Sequence, residues 1–195
     1  MSYVCTSFSV QEDWTFGDRL LTHDFSFVAG NVVAIGFTGN AWIAPFSGRW
    51  NISTTFSLAI RNDTGRINST PRAITAPVIR LLEGCNHTLN LAVSDPDGDI
   101  VRCRWARGAE CASICNNIHF PGAILHPSTC TIEYEANRGV RLWGAALMIE
   151  DFAPGSSTPL SSVALQFLVL VIPNTVGSSF GCCAVHSFKG VEAHS

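Results

Sequence analysis

The sequence predicts an all-β fold: a β-sandwich preceded by a smaller β-rich segment. Three observations predict it. Apolar and polar residues alternate with a period of two in many stretches, the mark of half-buried strands. After residue 77, about seven short strand-like runs follow one another, most of them separated by Gly, Pro, Asp and Ser clusters. No stretch carries a convincing helical period; residues 109–117 accommodate at most one short turn around Cys111 and Cys115.

The elements follow in order. Phe25 and Phe27 alternate, then Val33, Ile35 and Phe37, with Gly30-Asn31 as the turn between them. From 50 to 60, Trp50, Ile52, Thr54, Phe56, Leu58 and Ile60 share one face, and Asn51, Ser53, Thr55 and Ser57 the other, wet one. Pro71 and Pro77 bracket an extended boundary. Beyond it come Val78 to Leu82, then Leu89, Leu91 and Val93, then Val101, Cys103 and Trp105 with Arg102 and Arg104 outward. A short run at 122–125 follows. Cys130, Ile132 and Tyr134 then alternate against Thr131, Glu133 and Glu135, and Trp143, Ala145, Leu147 and Ile149 form the sixth run. The last, 163–172, is apolar on both faces, as a central or covered strand is. The expected organisation is an N-terminal β-rich domain over 1–72, a sandwich over 73–173 and a Gly/Ser/Cys tail over 174–195.

A chain of 195 residues can bury a real core. It is 47% hydrophobic and 14% charged, against about 25% charged in an average domain, which excludes intrinsic disorder. Its net charge is −3, from 12 basic and 15 acidic residues. That leaves no basic surplus for phosphates, so nucleic acid is not an expected partner. A polybasic membrane patch is equally absent. The most apolar run, 163–173, is far shorter than the roughly 20 residues that cross a bilayer, so no membrane insertion is expected.

Cysteines and sequons set the compartment. The eight cysteines suit full pairing in an oxidising environment. Cys103, Cys111, Cys115 and Cys130 lie close together, and we expect two disulfides among them, in any of three pairings. Asn51, Asn62, Asn68 and Asn86 each begin an N-x-[ST] sequon and are the expected glycosylation sites. Together these point to an extracellular or lumenal protein. Residues 1–30 have neither a basic n-region nor an apolar h-region. The chain is therefore expected to be a fragment whose signal peptide lies elsewhere.

The second half has a recognisable order: Pro77, an extended run, Gly84, a strand into Asp95-Pro-Asp-Gly-Asp99, then Ile100-Val101, Pro127-Ser-Thr-Cys-Thr-Ile-Glu-Tyr134, Ile149-Glu-Asp-Phe152, a Ser/Pro loop and a closing strand. Over about residues 73–172 this resembles cadherin-like domains of the dystroglycan type, an Ig-like sandwich of extracellular adhesion proteins. The wider stretch, with the segment 61–71 and Cys103-Arg-Trp-Ala, resembles a module of large secreted or surface proteins of animals. The linker calcium motifs of true cadherins are not matched. Trp105 sits where an Ig third-strand Trp would, but the second and sixth runs lack the antibody-type cysteines.

The chemistry-bearing candidates are few. Asp95, Asp97 and Asp99 flank Gly98 and could ligate calcium through oxygen, the one cofactor considered. Position twelve counted from Asp95 is Ala106, which fails the EF-hand pattern. The plainer reading is a solvated hairpin turn, for which Asp95→Asn with Asp99→Asn should change stability little. Cys111, Cys115, His119 and His126 could be drawn as a zinc site, but the spacing is loose and disulfides are favoured. Glu150-Asp151 reads as a strand-end turn. No G-x-S-x-G, P-loop, H-E-x-x-H or G-x-G-x-x-G motif is present. The expected function is a non-catalytic interaction or structural module with an extracellular protein or glycan partner. The alternatives are a calcium-dependent adhesion domain using the aspartate turn and a secreted hydrolase with an unrecognised site. Partner contact is expected away from the glycans, on the loop-rich segment 104–126, with His119 and Phe120 at its tip.

Overall fold

The computed structural model describes residues 4–11, 14–18, 22, 32–39, 50–111, 114–115 and 120–174. It is an all-β sandwich built from largely antiparallel sheets. Near the N-terminus, β1 (Val4–Ser9) and β2 (Trp14–Asp18) form a hairpin of their own. β3 (Val32–Gly39) and β4 (Trp50–Ser57) pair antiparallel along all eight residues.

The larger sheet centres on β13 (Ser161–Ile172). One edge of β13 pairs with β12 (Leu142–Phe152), which in turn pairs with β9 (Ile100–Trp105). Its other edge is shared: β4 takes the first residues, Ser161 to Val163, and β6 (Val78–Leu82) runs parallel to the last, Leu168 to Ile172. Of the two positions expected for this doubly apolar strand, central or covered by the N-terminal segment, it takes the central one, with β4 of that segment paired to its first residues. The boundary expected at residue 72 does not separate two sheets, because β4 from the N-terminal segment hydrogen-bonds to β13 of the sandwich.

The facing sheet has the order β10 (Ile124–His126), β11 (Thr131–Glu135), β7 (Asn86–Asn90). The second sequence run splits here. β7 ends at Asn90, and β8 (Ala92–Ser94) leaves this sheet to pair with β5 (Arg72–Ile74). Leu91, between them, stays buried and donates its N–H to the Cys130 carbonyl.

Alternation explains the core. Ile132 and Tyr134 of β11 and Leu89 of β7 point inward, while Glu133, Glu135, Thr88 and Asn90 stay exposed. They meet Leu81 of β6, Cys103 of β9, Ala145, Leu147 and Ile149 of β12, and Phe167, Val169 and Val171 of β13. Burying side chains of this size stabilises by about 1.5–3 kcal/mol each before entropy is charged against it. The Cys103–Cys130 disulfide crosses this core and ties β9 to the residue before β11.

β12 is buried on both faces, which its simple alternation does not predict. Gly144, Ala146 and Met148 face a second apolar cluster formed with Ala106, Cys111 and Ile114. Small residues make this possible: a Cβ at Gly144 would stand 3.3 Å from Ile114 Cγ2. The chain after β9 folds back over the sheet through a 3₁₀ turn at Gly108–Glu110, an Ala106 N–H to Ala146 carbonyl bond and the Cys111–Cys115 disulfide.

Candidate functional site

The only group of metal-ligating side chains found among the described residues, Asp95, Asp99 and Asp151, lies where the β8–β9 connection meets the end of β12, beside the segment that follows β4. Its first part is the turn Asp95-Pro-Asp-Gly-Asp99. Asp95 Oδ1 accepts the N–H groups of Asp97 and Asp99 at 2.8 and 3.1 Å. Gly98, at φ +82°, supplies the left-handed step that the turn needs. The turn does not close a hairpin, since β8 pairs with β5 and β9 with β12. It carries the chain from one sheet to another.

Its second part is Arg61, whose side chain is only 7% exposed. The loop 61–66 folds on itself, with Arg61 N–H to the Arg66 carbonyl and Gly65 N–H to the Arg61 carbonyl, both 2.9 Å. This turns the guanidinium toward the aspartate turn. Nε and Nη2 grip Asp63 at 3.0 and 2.7 Å. Nη2 and Nη1 grip both oxygens of Asp99, and Nη1 also donates to Asn68 Oδ1 at 2.7 Å. The paired carboxylates hold the guanidinium proton even more tightly than usual, with the Asp99 hydrogen bond the largest cause. The Arg61 hydrogen bonds in turn pull the Asp63 carboxyl below its ordinary value.

The third part is Asp151, fully buried on β12. Asn68 Nδ2 donates to its Oδ2 at 2.6 Å, and Ser161 N–H and Oγ donate to its Oδ1, each at 2.7 Å. Asn68 thus relays Arg61 to Asp151. Ser69 clamps Asp97 through its N–H at 2.6 Å and its Oγ at 3.2 Å.

The sequence-predicted trio is therefore rearranged. Asp95 and Asp99 join Asp151, with one oxygen from each lying within 4.8 Å of the others, while Asp97 turns to Ser69. The solvated-turn expectation is overturned for Asp99: its side chain is 5% exposed and paired with Arg61, so changing Asp95 and Asp99 together is not neutral. Asp95 Oδ2 is buried without a hydrogen-bond partner. Burial first, then the charges of Asp151 and Asp99, push the Asp95 carboxyl above its ordinary value, against the two N–H groups that it accepts. An open groove of about 660 Å³ flanks the cluster, lined in part by Val32, Ile60, Arg61, Asn62, Pro154 and Pro159. Its ionisable lining groups are Arg61 and Asp63, already paired to each other.

Sequence reasoning assigned Arg61 no role and read Asp151 as part of a strand-end turn, whereas Asp151 lies within β12. The available signal was one arginine placed among a run of turn-forming Asp and Asn residues. Glu150 and Asp151 do not work together, because neighbours on a strand point to opposite faces. Glu150 accepts from Arg104 Nε at 2.8 Å, and Arg104 also grips both oxygens of Glu110 at 2.7 and 2.8 Å. Arg104 holds the Glu110 carboxyl below its ordinary value.

The remaining candidates sort as follows. Cys103 pairs with Cys130 and Cys111 with Cys115. The second bridge removes the thiolates that a zinc site would need. Cys85 is also disulfide-bonded. Phe120 is not at an exposed tip: it is 3% exposed, its ring centroid 4.3 Å from that of Tyr134. A phenylalanine so placed serves the core, and the expected contact through it is withdrawn. His119 lies outside the described residues. Among the sequons, Asn62 and Asn86 are exposed, Asn51 is half-buried with its amide donating to the Ala109 carbonyl, and Asn68 is buried. Asn51 is thus not on an open wet face, because the segment after β9 lies against it. The Asn68 amide nitrogen is held against Asp151.

No protein-family model matches the chain, and no curated protein does. Among solved structures, one similar chain is a Bacteroides fragilis protein provisionally assigned as an alpha-galactosidase, with 11% identity and a TM-score of 0.37. The match covers 54% of this chain and 18% of that one. A likeness this loose carries no argument about activity. No described helix is long and apolar enough to cross a membrane.

Proposed function

We propose that this chain is an extracellular, non-catalytic interaction or structural module, glycosylated and cadherin-like in its sandwich. The observation that carries the reading is the Cys103–Cys130 bridge, buried in the core between the two sheets. Such bridges persist in oxidising compartments and are rare where thiols are kept reduced. The strand order supports the Ig-like assignment. Taking β6, β7, β9, β10, β11, β12 and β13 as strands A to G puts B, E and D in one sheet and C, F and G in the other. Exposed Asn62 and Asn86 offer glycosylation sites. The carboxylates that could have served acid–base chemistry are largely committed to Arg61, Asn68, Ser69 and Ser161. The partner class is an extracellular protein or glycan.

The test is secretion from animal cells behind an added signal sequence, with and without Cys103→Ser plus Cys130→Ser. Wild type should be secreted as a monodisperse protein. The double variant should be retained or lose about 2–5 kcal/mol of stability. Equal secretion and stability of the two would remove the bridge as support.

One observation favours the second reading, a calcium-dependent adhesion domain: the unpartnered Asp95 Oδ2 beside Asp99 and Asp151. Against it, the Arg61 guanidinium already neutralises Asp99. Chelator should therefore leave the melting temperature unchanged. A fall in wild type that Asp95→Asn abolishes would establish the calcium reading instead.

A further inference from the structure

The four sequons are chemically alike in sequence but not in the fold: the amides of Asn51 and Asn68 are both engaged, and that of Asn68 is the one held inside a buried polar network. Asn68 is 8% exposed. Its Oδ1 accepts from Arg61 and its Nδ2 donates to Asp151, itself fully buried. N-glycosylation replaces one hydrogen of Nδ2 with a sugar. A sugar there has no room beside Asp151. Asn62, by contrast, is exposed in the loop that carries Arg61, and Asn86 is exposed at the start of β7. Their side chains can accept a branched glycan with no change to the core.

We propose that the folded, secreted chain carries N-linked glycans at Asn62 and Asn86, and that Asn68, although it heads a sequon, stays unmodified because its amide is the structural relay between Arg61 and Asp151. Glycan addition at Asn68 and closure of the arginine–aspartate cluster exclude each other. A chain modified there before folding leaves Arg61 without one of its acceptors and Asp151 without one of its donors, the costly half-broken state of a buried polar network. The sequon at 68 is thus read as asparagine for structure, and the ones at 62 and 86 as asparagine for sugar. This inference rests on passage through the secretory pathway.

The experiment imposes that passage, so that it is judged apart from where the native chain resides. The chain is expressed in animal cells behind a signal sequence, and site occupancy is mapped on glycosidase-treated peptides of the secreted, monodisperse fraction. Modified Asn62 and Asn86 with unmodified Asn68 is the expected pattern. Three variants sharpen it. Thr70→Ala removes the sequon at 68 but keeps the asparagine; mobility and melting temperature should match wild type. Thr64→Ala and Thr88→Ala should each remove one glycan. Asn68→Asp places a carboxylate against Asp151 and should lower the melting temperature by roughly 5 °C or more. A glycan on Asn68 in the folded fraction, or a one-glycan mobility shift in Thr70→Ala, overturns the proposal. Unmodified Asn62 and Asn86 after imposed secretion also overturns it. The reading of the compartment fails separately, if the chain from its own source has free Cys103 and Cys130 thiols.

Discussion

Two arginine clusters use the same ingredients to different ends. Arg61 hydrogen-bonds to the carboxylates of Asp63 and Asp99, with Asp97 a looser third ion partner at 3.9 Å, and Arg104 to those of Glu110 and Glu150. Arg61 is 7% exposed at its side chain and Arg104 31%. The Arg61 cluster draws together residues 61–69, the turn at 95–99, β12 and the start of β13. The Arg104 cluster ties β9 to the turn that follows it and to the neighbouring strand β12. Burial and sequence reach, not the number of ion pairs, decide what each contributes. A wet pair is worth about 0–1 kcal/mol, whereas breaking a buried one strands a charge at about 3–5 kcal/mol.

The largest expected effect follows directly. Arg61→Met should lower stability in denaturant melts by about 3 kcal/mol, and Asp99→Asn in the same background should then cost far less than it does alone. Arg104→Met should cost about 1 kcal/mol or less. Equal losses for the two arginines would erase the distinction drawn here.

Acidity sharpens it further. Asp63 and Glu110 have carboxyls lowered by their arginines, so the stability they bring is present above their unfolded values and is lost as pH falls through the folded ones. Unfolded values near 3.8 and 4.5 put that loss below about pH 4.5. Asp95 has the opposite sign. Its raised carboxyl means that the ionised form is disfavoured in the fold, so acidification through its folded value adds stability. The melting temperature should therefore rise slightly on mild acidification before it falls. Asp95→Asn keeps the acceptor for the two N–H groups and turns the orphan oxygen into a donor beside Asp99 and Asp151. It should raise the melting temperature at pH 7 by roughly 2 °C and flatten the acid rise. A lower melting temperature in this variant would contradict the account of the orphan oxygen.

Much of the sandwich was legible in the sequence because burial on one face writes itself as alternation. Ile132 and Tyr134 against Glu133 and Glu135 place β11 without any knowledge of its partners. β12 was legible on one face alone. Its other face is buried by a segment folding back from β9, and the sequence marks this through Met148 and through Gly144 and Ala146, small residues with many other uses. The break at Leu91 was hidden for a similar reason: Leu89, Leu91 and Val93 keep their alternation while the chain changes sheets. Phe120 misled because a cysteine-rich segment reads as a loop, and a loop residue of that size reads as exposed. The cluster was least legible of all. Arg61, Asn68, Asp99, Asp151 and Ser161 meet only after β4 has docked on β13, and no local spacing encodes a contact made by tertiary pairing. Turn chemistry located the aspartates correctly and left Asp97 in solvent, but it gave Asp95 and Asp99 the wrong surroundings.

The proposal of an extracellular module stands or falls with the state of the core cysteines in the native protein. The measurement is peptide mapping without reduction, on protein alkylated at the moment of extraction from its own source. The account predicts the peptides of Cys103 and Cys130 linked to each other, and Cys111 linked to Cys115. Alkylated, free Cys103 and Cys130 in otherwise folded protein would contradict it.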